Sequence, residues 1–255
     1  MLNFPLLRVF IKNTWKLWII FVGILLMYML IMVFTFDQMR EAMESMEVMG
    51  LAIVMDSRFD MLTSMYFDMI IFMFPMIFCI ILANKLVSKT VDDNSMSSFL
   101  SSSLSRRQYT VTAALFLMMS IVAMFFVVFA IGGLSLIMFE TINWANWTAM
   151  ILTTLTCTLA IASLCFFFSS VFAANRTGNI FMIGIPVMFF LLMFLGEIPS
   201  LEFLHYLTPF GYVDAFAIGL GQESLWWLIN LVFIVVSTVF LTASIYLFDK
   251  KQLSI

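Results

Sequence analysis

Six apolar runs divide this chain, and its cations gather at alternate gaps between them. The runs extend over residues 17–36, 65–86, 111–139, 147–172, 180–195 and 225–248. Arg8, Lys12 and Lys16 precede the first run, and Lys85, Lys89, Arg106 and Arg107 lie around the gap between the second and third. Arg176 lies between the fourth and fifth, and Lys250 and Lys251 follow the sixth. Of 12 Lys and Arg residues, only Arg40 and Arg58 remain for the other gaps. A helix needs about 20 apolar residues to cross about 30 Å of hydrocarbon, and short cytoplasmic loops hold the excess of Lys and Arg. The alternation therefore predicts an all-α integral membrane protein with six transmembrane helices and both N- and C-termini cytoplasmic. Helix is the expected form because an open chain in lipid must satisfy its backbone polar groups internally.

A composition of 64% apolar and 11% charged residues, with mean hydropathy +1.10, excludes a soluble domain. Six spans leave no room for a soluble catalytic domain, so residues 1–255 read as a single transmembrane domain. The first run is longer than a signal-peptide core and has no small-residue cleavage pattern before Asp37, which makes it a retained anchor. Cys79, Cys157 and Cys165 lie inside apolar runs and behave as small hydrophobes.

Four segments outside the runs carry pattern. Ahead of the first run, Arg8, Lys12 and Lys16 keep helical spacing beside Phe4, Leu7, Ile11 and Trp15, which predicts an N-terminal interfacial helix with its cations toward headgroups. In residues 37–60, Met39, Met43, Met46 and Met49 share one helical face and Glu41, Glu44 and Glu47 another, which predicts an external amphipathic helix. Thioethers bind Cu(I), but no His or Cys accompanies them, so these methionines read as packing. Between the second and third runs, Asn94 can cap a short helix on which Met96, Phe99, Leu100 and Leu104 form an apolar stripe. Asp92 and Asp93 stand at its positive end, and Arg106 and Arg107 are expected to close its other end.

Residues 196–224 are too apolar for a solvated loop, yet Pro199, Pro209 and Gly211 forbid one continuous helix. Two re-entrant helices before the last span are the expected solution, with Glu197, Glu202, His205 and Asp214 lining a partly wet outer vestibule. Glu197, Pro199, His205, Pro209, Phe210 and Asp214 are the candidate gate residues.

Several chemistries lack their parts. His205 is the only histidine, so no zinc site of ordinary composition is expected, and no metal. No G-x-S-x-G or nucleophile–base pairing suggests a hydrolase, and no catalytic residue is assigned. No phosphate-binding G-x-x-x-x-G-K-[ST] loop is present, so ATP cannot be bound that way on this chain. Nor does any run carry the midplane charge of an ion-coupled carrier, since Asp68 and Lys85 lie near its ends.

At three stretches the chain resembles the permease subunit of a type-2 ABC exporter. Residues 89–107 match that family's first cytoplasmic loop in the acidic pair Asp92-Asp93, the Phe99-Leu100 core and Ser105-Arg106, departing at Asn94 where Gly is usual and at Ser103 where Pro is usual. Residues 207–214, Leu-Thr-Pro-Phe-Gly-Tyr-Val-Asp, resemble its apolar Pro-Phe segment, and residues 248–253 its basic tail. The resemblance implies coupling to an ATPase through Asp92, Asp93, Met96, Phe99, Leu100, Arg106 and Arg107, and re-entrant helices before the last span. The implied partners are a separately encoded ABC ATPase, a second permease copy or paralogue, membrane lipid and a peptide cargo, with no nucleic acid. No cofactor is implied on this chain, since ATP and Mg belong to the partner ATPase. Compact permeases of this kind resemble Gram-positive exporters of antimicrobial or cytolytic peptides, which places the chain in a bacterial plasma membrane. Export of lipids, glycans or other amphiphiles is the alternative, and an ATP-independent carrier or channel the competitor from another class.

Overall fold

The computed structural model describes residues 3–47, 57–88, 90, 105–172 and 176–250, with backbone alone for 42–47 and 176–179. Asp92, Asp93, Met96, Phe99 and Leu100, and with them the expected docking helix, lie outside the described residues. So do Met49 and Lys251.

Every regular element among the described residues is helical. α1 is Phe4–Phe34, α2 Phe36–Glu47, α3 Arg58–Ser88, α4 Arg106–Ile137, α5 Trp144–Val171 and α6 Arg176–Gly196. After two 3-10 segments, Pro199–Leu207 and Phe210–Tyr212, come the one-turn α7, Ala215–Gly219, and then α8, Trp226–Lys250. Five of these, α1, α3, α4, α5 and α8, are long and apolar enough to cross a membrane. The fifth expected span falls on α6, whose apolar part, Ile180–Gly196, is shorter.

Side-chain contacts orient the bundle. Asn3 N–H donates to Thr112 Oγ1, and Lys85 Nζ donates to the Asn13 carbonyl at 2.6 Å, so the starts of α1 and α4 and the end of α3 share one end. Asn230 pairs with Thr156 and the Phe240 ring meets Phe167, which makes α8 parallel to α5. Phe181 of α6 stacks on Phe168, and Phe190 reaches Phe210, so α6 runs back the other way. Asn3 and Lys250 consequently lie at the same end, which also holds Arg8, Lys12, Lys16, Lys85, Arg106 and Arg107.

α3 and α5 are the inner pair, each 67% buried over its most apolar window against 22% for α8. Their sequences explain this. α5 carries Thr153, Thr154, Thr158 and Ser170, whose hydroxyls return to carbonyls four residues back and so cost little to bury. Trp147, fully buried, meets Phe67 edge-on at 5.6 Å and rests against Gly132 of α4. A Cβ at Gly132 would stand 2.8 Å from both the Trp147 ring and Met29 Sδ, so only glycine allows α4 this close. α3 is π-helical over Leu62–Ile70, and the widened stretch ends at Ile71, whose carbonyl Pro75 deprives of its donor.

One expectation needs correction here. The N-terminal segment is not a separate interfacial helix: α1 runs unbroken from Phe4 to Phe34, because nothing between Pro5 and Gly23 interrupts it. Arg106 and Arg107 open α4, and the helix they were expected to close lies outside the described residues. Ser105 caps it by accepting from Gln108 N–H, while Gln108 accepts in return from Ser105 N–H. The Ser-Arg-Arg-Gln order is a helix start, which the basic pair obscures. A helix is present where the methionine spacing predicts one, as α2 over Phe36–Glu47.

Candidate functional site

The gate candidates gather at the end of the bundle opposite Lys85. Beyond Gly196 the chain turns through bonds from Glu197 and Ile198 to the Phe194 and Leu195 carbonyls, and Pro199 opens a 3-10 stretch kinked at Leu201. Two full re-entrant helices are not what forms. Two 3-10 pieces and the single turn α7 replace them, because Pro199 and Pro209 each remove a donor and Gly211 is pressed into a turn.

His205 is the centre of that turn. Its carbonyl accepts from Thr208 N–H and Thr208 Oγ1, both at 3.3 Å, and Thr208 Oγ1 accepts from Gly211 N–H at 3.1 Å. A Cβ on Gly211 would overlap the His205 carbonyl. Tyr212 Oη donates to the Tyr206 carbonyl at 3.0 Å, which closes the loop around its own backbone.

Phe210 fastens the turn to the bundle. It is 2% exposed and lies 5.0 Å from the Phe72 ring and 6.1 Å from Phe190. Pro209 offers its carbonyl to Cys157 Sγ at 3.7 Å. Beside Pro209 and Tyr212 an apolar groove of about 550 Å³, open to the outside, extends along α8 from Leu228 to Phe240 and is lined also by Ile161 and Phe189.

Among the polar candidates, Asp214 caps α7 by accepting from Ala217 N–H at 2.8 Å. Asp68, on the π-helical stretch of α3, is within electrostatic reach of Glu197, Asp214 and His205. The structure thus brings three of the predicted vestibule residues together and adds Asp68, which its sequence position marks only as near a span end. Glu197, Pro199 and Asp214 are exposed, whereas Phe210 is buried.

A second constellation at this end was missed from sequence. Arg58 Nη2 pairs with Asp37 at 2.6 Å, Nη1 lies 3.8 Å from Glu140, and Nε donates to the Val33 carbonyl at 3.2 Å. Its guanidinium also lies 4.9 Å from the Phe36 ring and 4.4 Å from Phe139. One residue thereby joins the end of α1, the start of α3 and the end of α4. The signal was available: Arg58 is one of two cations outside the basic clusters.

At the opposite end Arg106 and Arg107 are in place on α4, and Tyr109 stands one turn along. Tyr109 Oη donates to the Leu86 carbonyl at 2.7 Å, and Ser88 and Ser169 hydroxyls meet at 3.0 Å. Both stems of the segment that carries Asp92 to Leu100 are therefore fixed to α3, α4 and α5.

No protein family, curated protein or solved structure was found to match this chain.

Proposed function

We propose that this protein is the membrane-spanning permease subunit of an ATP-driven exporter that moves amphipathic peptides out of a bacterial cell. The observation that carries the reading is the folded-back apolar segment of residues 197–225. Its residues Leu207 to Tyr212 border the open 550 Å³ apolar groove, and it stands at the end of the bundle opposite the fixed stems around Leu86 and Tyr109. A gate at one end and an anchored docking loop at the other are the parts a driven permease needs.

In this reading six helices cross the membrane, α6 being the short one. The basic end faces the cytoplasm, and residues 197–225 dip into the outer leaflet, with backbone groups bonded within their own 3-10 turns. Asp92, Asp93, Met96, Phe99 and Leu100, with Arg106 and Arg107, receive a separately encoded ABC ATPase, and a second permease copy or paralogue completes the path. The apolar groove accommodates the apolar face of a peptide. It suits an acyl chain equally, which makes lipid or another amphiphile the second reading.

The test is ATPase activity of the complex reconstituted from this chain and a separately encoded ABC ATPase that co-purifies with it. Stimulation by amphipathic peptide supports the reading, and stimulation by lipid or glycan precursors alone selects the second. Full transport by this chain without any ATPase would overturn both.

A further inference from the structure

We propose that the first four turns of α1 hold the phosphate headgroup of an anionic phospholipid. Phe4, Pro5, Arg8, Val9 and Lys12 line a shallow groove of about 470 Å³ on the outer surface of this helix. Arg8 and Lys12 are one turn apart and Lys16 follows at the next, so three cations are spaced about 6 Å from one another along the axis. All three are exposed.

Charge complementarity points to the occupant. The first turn of α1 has no acidic residue, and among the described residues Arg8, Lys12 and Lys16 have no ion-pair partner. Like charges at i, i+4 repel one another on a helix. The attraction of each to an anionic membrane surface is the larger effect. Arg58 at the other end shows the contrast, since Asp37 and Glu140 answer its charge from within the chain.

Apolar neighbours decide between a lipid and a soluble anion. Phe4 is 73% exposed, and Val9, Ile11 and Trp15 are exposed beside the cations. Rings and aliphatic groups at the same level as three cations fit acyl chains next to phosphates, and a free phosphate would leave them in water. The surface is also rigid. Leu6, Phe10 and Thr14 are buried on the opposite side, Phe10 lies 5.7 Å from both Tyr109 and Phe116, and Trp18 Nε1 donates to the Ser120 carbonyl. A site on a fixed helix can distinguish headgroups, where a loose tail would only be drawn to charge. The inference rests on α1 spanning a membrane and not on the exporter reading.

Native mass spectrometry of the full chain in neutral detergent, titrated with phosphatidylglycerol and phosphatidylcholine of identical acyl chains, reads the preference directly. Wild type should retain phosphatidylglycerol about tenfold more tightly, a preference that weakens with added salt. Arg8→Gln with Lys12→Gln should reduce it to about twofold or less, while Lys250→Gln, also basic and at the same end, leaves it intact. Equal retention of the two lipids by wild type overturns the proposal, and needs no variant to fold. An undiminished preference in the double variant overturns it as well, as does displacement of the lipid by inorganic phosphate.

Discussion

At the Arg58 corner a single cation ties together helices far apart in sequence, whereas residues 197–225 are bonded mostly to their own near neighbours. The Arg58 bonds span 21, 25 and 82 residues, to Asp37, Val33 and Glu140. Those of the turn around His205 span 3 to 6. Both regions lie at one end of the bundle and each has a largely buried anchor, Arg58 in one and Phe210 in the other, so burial of the anchor alone does not separate them. What differs is how many polar links must break for each to leave the bundle. For residues 197–225 the links to α5 are the Asn146 amide to the Gly219 carbonyl at 2.9 Å and the weak thiol contact of Cys157, beside the Phe210 plug. A unit that keeps its internal bonds and has few external ones can move as a body. The corner around Arg58 is a fixed post by the same measure.

The largest effect should come from attacking the internal bonds of the movable unit. Gly211→Val places side-chain atoms where the His205 carbonyl stands, so the turn must open and Phe210 must lose its seat between Phe72 and Phe190. A loss of about 3–4 kcal/mol is expected, of the order reached when core packing and a constrained turn fail together. The thermal midpoint in detergent measures it, with proteolysis near Leu207 as the local readout. A midpoint close to wild type would show that the turn bends easily and that the unit is not a unit.

Arg58→Ala comes next. It leaves Glu140 and Asp37 without their cation and frees the Val33 carbonyl, but Asp37 is 72% exposed and keeps water. We expect a loss of about 2 kcal/mol, below the full cost of breaking a buried pair. The same thermal measurement in high salt checks the sign, because screening should lower wild type toward the variant. If salt leaves the difference unchanged, the packing of Arg58 on Phe36 and Phe139, rather than its charge, supplies most of the stabilisation.

How much of this could be read from the chain depends on the kind of evidence each feature leaves. Runs of apolar residues announce long helices, and five of the six proposed spans meet the length and hydropathy needed, with α6 shorter. The breaks at Pro199, Pro209 and Gly211 were legible for the same reason, since each alters the backbone locally. What they produce was not: whether a broken segment forms two helices or a turn around His205 depends on bonds that only the folded backbone makes. Of the Arg58 corner only the stray cation was legible, because its partners are spread from Val33 to Glu140 and no spacing links them. Asp68 was visible as a charge near a span end, while its neighbours Glu197, His205 and Asp214 come from a segment more than a hundred residues later. Ser105 and Gln108 form a legible capping box, but the Arg106-Arg107 pair between them suits the end of a helix equally well and conceals it.

Asn146→Ala has the smallest expected effect on stability and tests the comparison most sharply. The amide of Asn146 is the one normal-length hydrogen bond among the described residues that joins α5 to α7, and its loss should cost about 1 kcal/mol. If residues 197–225 move as a body, that cost is taken wholly from the closed state, and the open population rises about fivefold. Val213→Cys reads it, because Val213 is 5% exposed when the unit is seated, and the native cysteines are all buried and unreactive. Labelling of Cys at that position by a membrane-impermeant reagent should accelerate about fivefold in the Asn146→Ala background, with no change at a cysteine placed beside Arg58. Acceleration at both places would mean that the whole end loosens together, and the distinction between fixed post and movable unit would fail.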